Sequence, residues 1–199
     1  MRIWMKFKSD LYGSEAHLTH TLPVKKSEIY LSKILSSVIT LLVSIAVIIL
    51  MLFIVYYTKD NVLFFKYLIS TMLGQFSNNN LIIMFTCILV FLEFLTMISV
   101  GLTGIIIGHR KNNNRNMHSI FFGLISYGVA QTIILCLLFL STLIMPELSL
   151  LFEITDFTSS IEQNIFLKLL YISTFIYLII FIINNVLNMK LLKNGVDVD

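Results

Sequence analysis

Among the acids of the sequence, Glu93 alone falls in the middle of a long apolar stretch. An ionisable group at that depth in a hydrocarbon is costly enough to be a functional candidate. At 100° per helical residue, Thr86 and Gly104 lie within about 20° of Glu93 and Gly108 within about 60°, so one face carries polar and small residues. Gly104 and Gly108 also form a GxxxG pair, a spacing that lets a neighbouring helix approach closely. Glu93 suits either of two roles: lining a path or a seam between copies, or bonding a neighbouring helix. Gln131, one turn beyond Tyr127 and Gly128, suits interhelical bonding. Ser37, Thr40 and Ser44 share a helical face and are expected to bond their own backbone. Asn184, Asn185 and Asn188, followed by Lys190, read as boundary residues that reach water.

Covalent and metal chemistry lack their signatures. There is no GxxxxGK[ST] phosphate loop, no HExxH and no GxSxG. His17 and His20 are three apart, with no further ligand near them in sequence. Cys87 and Cys136 fall inside apolar runs without the spacing of a redox pair or a metal site, and read as small fillers. No catalytic residue, cofactor site or metal site is therefore expected.

The elements that would position these residues follow from composition. The chain has 199 residues, of which 57% are hydrophobic and 13% charged, and a mean hydropathy of +0.90. Such a chain reads as an integral membrane protein. A net charge of +3 is too small to argue for nucleic acid. A hydrocarbon core of ~30 Å takes about 20 helical residues to cross. Residues 36–57, 81–108, 119–145 and 165–187 are long enough, and in lipid helix is the form that satisfies their backbone internally. The fold class expected is all-α: a polytopic helical membrane protein with four transmembrane helices and a cytoplasmic amphipathic segment at its N-terminus. Residues 1–35 form that segment, 36–191 the transmembrane domain and 192–199 a cytoplasmic tail. The apolar patch 62–73, broken by Lys66, is too short to span. A helix lying in the outer interface, a re-entrant helix and an ordered loop all remain open for it.

Basic residues report orientation. The stretch HRKNNNRNMH, residues 109–118, holds Arg110, Lys111 and Arg115 and no acid, whereas residues 146–164 hold four acids and no base. With both termini cytoplasmic, eleven of the fourteen Lys and Arg residues fall inside. No cleavable signal is expected, because the basic first ten residues are not followed by an apolar run.

The polar stretch ahead of the first span, LYGSEAHLTHTLPVKKSEIYLSKIL, residues 11–35, is patterned. Leu18 and Leu22 are four apart, Pro23 interrupts helix, and a new helix can begin near Lys25 to Glu28. The product is an elbow at the membrane boundary, a shape that also fits a plain surface anchor. Tyr12-Gly13-Ser14-Glu15, Leu18-Thr19, Leu22-Pro23-Val24, Glu28, Leu31 and Lys33 resemble, in order and spacing, the cytoplasmic loop of exporter-type ABC transporter permeases. The resemblance is to the low-GC Gram-positive type. It implies that Glu15, Leu18, Thr19, Leu22, Pro23 and Val24 contact a separate ATP-binding subunit, and that ATP is bound by that subunit and not here. It also implies a second permease copy or paralogue, a bacterial plasma-membrane location and export of a peptide, antibiotic or lipid-like substrate. The family usually places two membrane helices ahead of this loop. Only MRIWMKFKSD precedes it here, so a chain lacking those two helices is expected. The alternative from a different class is a small accessory or immunity membrane protein with no ATPase partner.

Overall fold

The structure, a computed structural model, describes residues 2–12, 25–73, 79–109, 115–145, 148 and 163–193, and among these it contains helices and no strand. The helices are α1 (Arg2–Tyr12), α2 (Lys26–Tyr56), α3 (Lys59–Leu73), α4 (Asn79–Gly108), α5 (Arg115–Ile144) and α6 (Gln163–Lys193). Four of them, α2, α4, α5 and α6, are long and apolar enough to cross a membrane. Each runs past the apolar window that identifies it. α2, for example, starts at Lys26, where the amides of Glu28 and Ile29 bond the Lys25 carbonyl at 2.8 and 3.2 Å and close the first turn. Glu28 in that turn complements the positive end of the helix dipole.

α4 is the centre of the bundle, packing against α5 and α6 along its length and meeting α1 and α2 near its C-terminal end. Its buried side chains belong to three successive clusters. Ile82 packs with Leu167 and Leu170 at one end. Leu92 and Leu95 pack with Ile134, Ile176 and Tyr177 in the middle. Leu102, Ile105 and Ile106 pack with Phe7, Ile29, Tyr30 and Leu192 at the other end. Lipid tails are as apolar as leucine, so close packing and interhelical hydrogen bonds, not water exclusion, must hold such helices together.

Close packing is achieved where α4 meets α5. A Cβ on Gly104 would lie within 2.8 Å of the Ser119 carbonyl and closer still to the backbone of Gly123, and one on Gly108 would strike the backbone of Ser119. Gly104 and Gly108 therefore face Ser119 and Gly123, a second small pair four residues apart. The backbones touch through the absent side chains.

α2 behaves differently. Ile29, Tyr30 and Ser37 are buried, but every residue from 46 to 57 is exposed. Ser37, Thr40 and Ser44 donate to the carbonyls of Lys33, Ser36 and Thr40 at 2.8, 2.7 and 2.7 Å, as the sequence leads one to expect. Their hydroxyls are thus satisfied without a neighbouring helix. The patch 62–73 lies within a helix, α3, with exposed Leu63, Phe64 and Tyr67.

The helix α1 was not anticipated from the sequence. It packs on the end of the bundle where α4 finishes and α2 begins, with Phe7 only 2% exposed and edge-on to Tyr30 at 6.4 Å between ring centroids. The Trp4 ring covers the α4–α5 seam, where a Cβ on Gly123 would meet it at 3.2 Å and one on Gly101 at 3.5 Å.

Candidate functional site

The expected contact residues Glu15, Leu18, Thr19, Leu22, Pro23 and Val24, and with them His17 and His20, lie outside the described residues. Their flanks are described. Tyr12 stacks on His109 at 4.2 Å and 19°, and Lys25 is exposed at the start of α2. Tyr12 and Lys25 therefore lie at the same end of the bundle.

That end holds the densest set of interhelical hydrogen bonds among the described residues. Tyr30, fully buried on the first turns of α2, donates its hydroxyl to Asn185 Oδ1 at 2.7 Å. Asn188 Nδ2 donates to the Tyr30 hydroxyl oxygen at 2.9 Å and to the Ser99 carbonyl, also at 2.9 Å. Asn184 Nδ2 donates to Ser99 Oγ at 2.8 Å, and Thr103 Oγ1 donates to Asn184 Oδ1 at 3.3 Å. The spacing explains the meeting. Ser99 and Thr103 are one turn apart on α4, as are Asn184 and Asn188 on α6, so two polar pairs face one another. Asn188 has no exposed surface, and its Oδ1 is buried without a hydrogen bond among the described residues.

The reading of the three asparagines as water-facing boundary residues is thereby corrected. Their proximity to Lys190 suggested the membrane edge, but the face they share turns inward, against Tyr30 and Ser99. Helical phase alone could have hinted at this, since Ser99, Thr103, Asn184 and Asn188 are each one turn from a polar mate. What sequence could not supply was the rotation that brings the two pairs together.

Glu93, Gly104, Gly108 and Gln131 do not form one site. The glycines belong to the α4–α5 seam. Glu93 is half-buried, and at 1.5 Å per residue it lies about 16 Å from Gly104 along α4. In the middle of the bundle Gln131 of α5 hydrogen-bonds Tyr177 of α6, with Glu93 and Tyr127 close enough to act electrostatically on that tyrosine. Three of the long apolar helices thus contribute polar groups midway along the bundle, while Thr86, on the same face of α4 by phase, is exposed.

His109 ends α4. Its Nδ1 is 2.9 Å from the Ile105 carbonyl and 3.1 Å from Ser119 Oγ. Because a carbonyl only accepts, Nδ1 carries the proton and the serine hydroxyl shares it. Burial holds the His109 pKa below its ordinary 6.5, opposed by the Ile105 carbonyl and reinforced by the charges of Lys8 and Arg115. Lys8 in turn donates to Asn116 on the first turn of α5.

Among the described residues no three His, Cys, Asp or Glu side chains gather as a metal site, and Cys87 and Cys136 are free and exposed. What the Tyr30 cluster and the His109 contacts can do is mechanical: they tie α1, α2, α4, α5 and α6 at the end that carries Tyr12 and Lys25. Comparison of the chain with protein-family models, with curated proteins and with solved structures finds no match.

Proposed function

We propose that this chain is a membrane-spanning permease subunit of an exporter-type ABC transporter, which couples ATP hydrolysis by a separate subunit to export of a peptide, antibiotic or lipid-like substrate. The observation that carries the reading is the ordered set Tyr12-Gly13-Ser14-Glu15, Leu18-Thr19, Leu22-Pro23-Val24, Glu28, Leu31 and Lys33 ahead of the first long apolar helix. In support, the chain has four helices able to cross a membrane, and both flanks of the segment 13–24 sit at one end of the bundle. In this reading that end faces the cytoplasm, the membrane is a bacterial plasma membrane, and a second permease copy or paralogue completes the path.

Leu18, Leu22 and Pro23 seat the segment in a groove of the ATPase, and closure of the ATPase subunits pushes on α2 through its first turns. The permease itself carries out no covalent step. A charge at Leu22 is then expected to uncouple hydrolysis from transport. Leu22→Glu should insert into the membrane as the parent does, while a phosphate-loop ATPase that co-purifies with the tagged parent is lost or no longer stimulated. Unchanged transport by Leu22→Glu, or the absence of any such ATPase from the purified native complex, would count against the assignment.

A further inference from the structure

We propose that Tyr30 is the joint that keys α2 to α4 and α6, a positioning residue about which the exposed far half of α2 pivots, while Ile34 and Val38 add apolar contacts in its near half. Along α2 the buried positions are Ile29, Tyr30 and Ser37. Ser37 bonds its own helix, so Tyr30 supplies the polar tie between α2 and α6 that the structure shows. Its hydroxyl is held from both sides, donating to Asn185 at 2.7 Å and accepting from Asn188 at 2.9 Å. Asn188 extends the tie to α4 through the Ser99 carbonyl, and Phe7 of α1 abuts the same ring edge-on. Beyond residue 45 α2 is exposed on all sides, so among the described residues the far half of the helix packs against no neighbour that would oppose rotation about Tyr30.

The joint also contains the means of changing state. Asn188 Oδ1 is a buried acceptor with no donor among the described residues, and a buried polar group left unpaired favours any rearrangement that pairs it. When the first turn of α2 shifts, the Tyr30 hydroxyl exchanges Asn185 Oδ1 for Asn188 Oδ1; the number of bonds is conserved and the unpaired acceptor passes from the fully buried Asn188 to the half-buried Asn185. A discrete pair of bonding arrangements is the kind of element through which a local displacement becomes a defined movement of a helix. That such a displacement comes from an ATPase rests on the function proposed above; the joint itself does not.

The test uses the full chain in lipid nanodiscs, with Cys87 and Cys136 replaced by serine and spin labels at Ile54→Cys on α2 and Phe175→Cys on α6, both exposed positions. The parent is expected to give one or two narrow inter-label distances. Tyr30→Phe keeps the ring and its contact with Phe7 but removes both bonds of the hydroxyl, and Asn188→Leu removes the partner instead. Each should replace the narrow peaks with a broad distribution. Widths in both variants equal to the parent's, or a parent distribution already as broad as theirs, would overturn the joint. Because no ATPase enters the measurement, loss of the transporter reading would leave this outcome standing, and the reverse.

Discussion

At the scale of single residues, His109 is the group whose state the solvent can set. The imidazole is enclosed by Tyr12 and Lys8 from α1 and by Arg115 and Ser119 from α5. Among the described residues the charges that act on it, Lys8 and Arg115, are positive, and burial lowers its pKa from 6.5. A group whose pKa is lowered by the folded arrangement favours that arrangement when uncharged. Its contribution is therefore complete above pH 6.5 and is lost as the pH falls through the lowered value. Protonation would set a third cation beside Lys8 and Arg115, and the repelled partner free to move away is Lys8, which takes α1 with it. The sequence has a single tryptophan, and Trp4 lies on α1, so its emission reports the docking directly. Acidification below pH 6.5 is expected to shift Trp4 emission to the red, and His109→Gln should hold the docked emission across the same range. An identical acid response in that variant would remove His109 from the account.

At the scale of elements, the seam between α4 and α5 is the packing on which the bundle most depends. Gly104 and Gly108 were legible as a GxxxG pair, and their position on one face followed from helical phase. The partner was not legible, because Ser119 and Gly123 have the same spacing but enclose Ile120, Phe121 and Phe122 in a stretch with several other small residues. Gly104→Ala is expected to destabilise by roughly 1–3 kcal/mol, the usual cost of forcing a methyl into packed backbone. Gly128→Ala supplies the contrast, since a Cβ there meets nothing within 4 Å and alanine is the better helix former by up to about 1 kcal/mol. Detergent or denaturant titration followed by circular dichroism should therefore move the two midpoints in opposite directions. Equal midpoints would mean that the glycines are not the point of closest approach.

At the scale of the whole molecule, the ends of the helices sort by charge. Lys8, Lys25, Lys26, Arg115, Lys190 and Lys193 belong to the end where α1, the start of α2, the start of α5 and the finish of α6 come together. In the orientation proposed above that end faces the cytoplasm, which is what the positive-inside rule expects of it. In a background without Cys87 and Cys136, a membrane-impermeant maleimide is expected to label Lys59→Cys in intact cells, and Lys193→Cys only after the membrane is opened. The reverse pattern would turn residues 13–24 away from any source of ATP and end the transporter reading.

Sequence by itself determined that the chain is helical, with four stretches long and apolar enough to cross a membrane, and roughly where they fall, because hydrocarbon leaves the backbone no other way to bond itself and imposes its own length. It also determined that Ser37, Thr40 and Ser44 would turn back on their own helix, since a hydroxyl reaches the carbonyl one turn earlier whatever surrounds it. Only the tertiary structure decided which faces meet. Asn184, Asn185 and Asn188 are polar residues near a lysine whether they point to water or to Tyr30, and nothing local distinguishes the two. The difference lies in the mutual rotation of α2, α4 and α6, which is set by the sum of many contacts distant in sequence and by no one of them. The docking of α1 belongs to the same class: its eleven residues are amphipathic, with Trp4 and Phe7 at helical spacing, but that pattern does not say which surface receives them. Their place is made by the smooth surface at Gly101 and Gly123 and the ring of Tyr30.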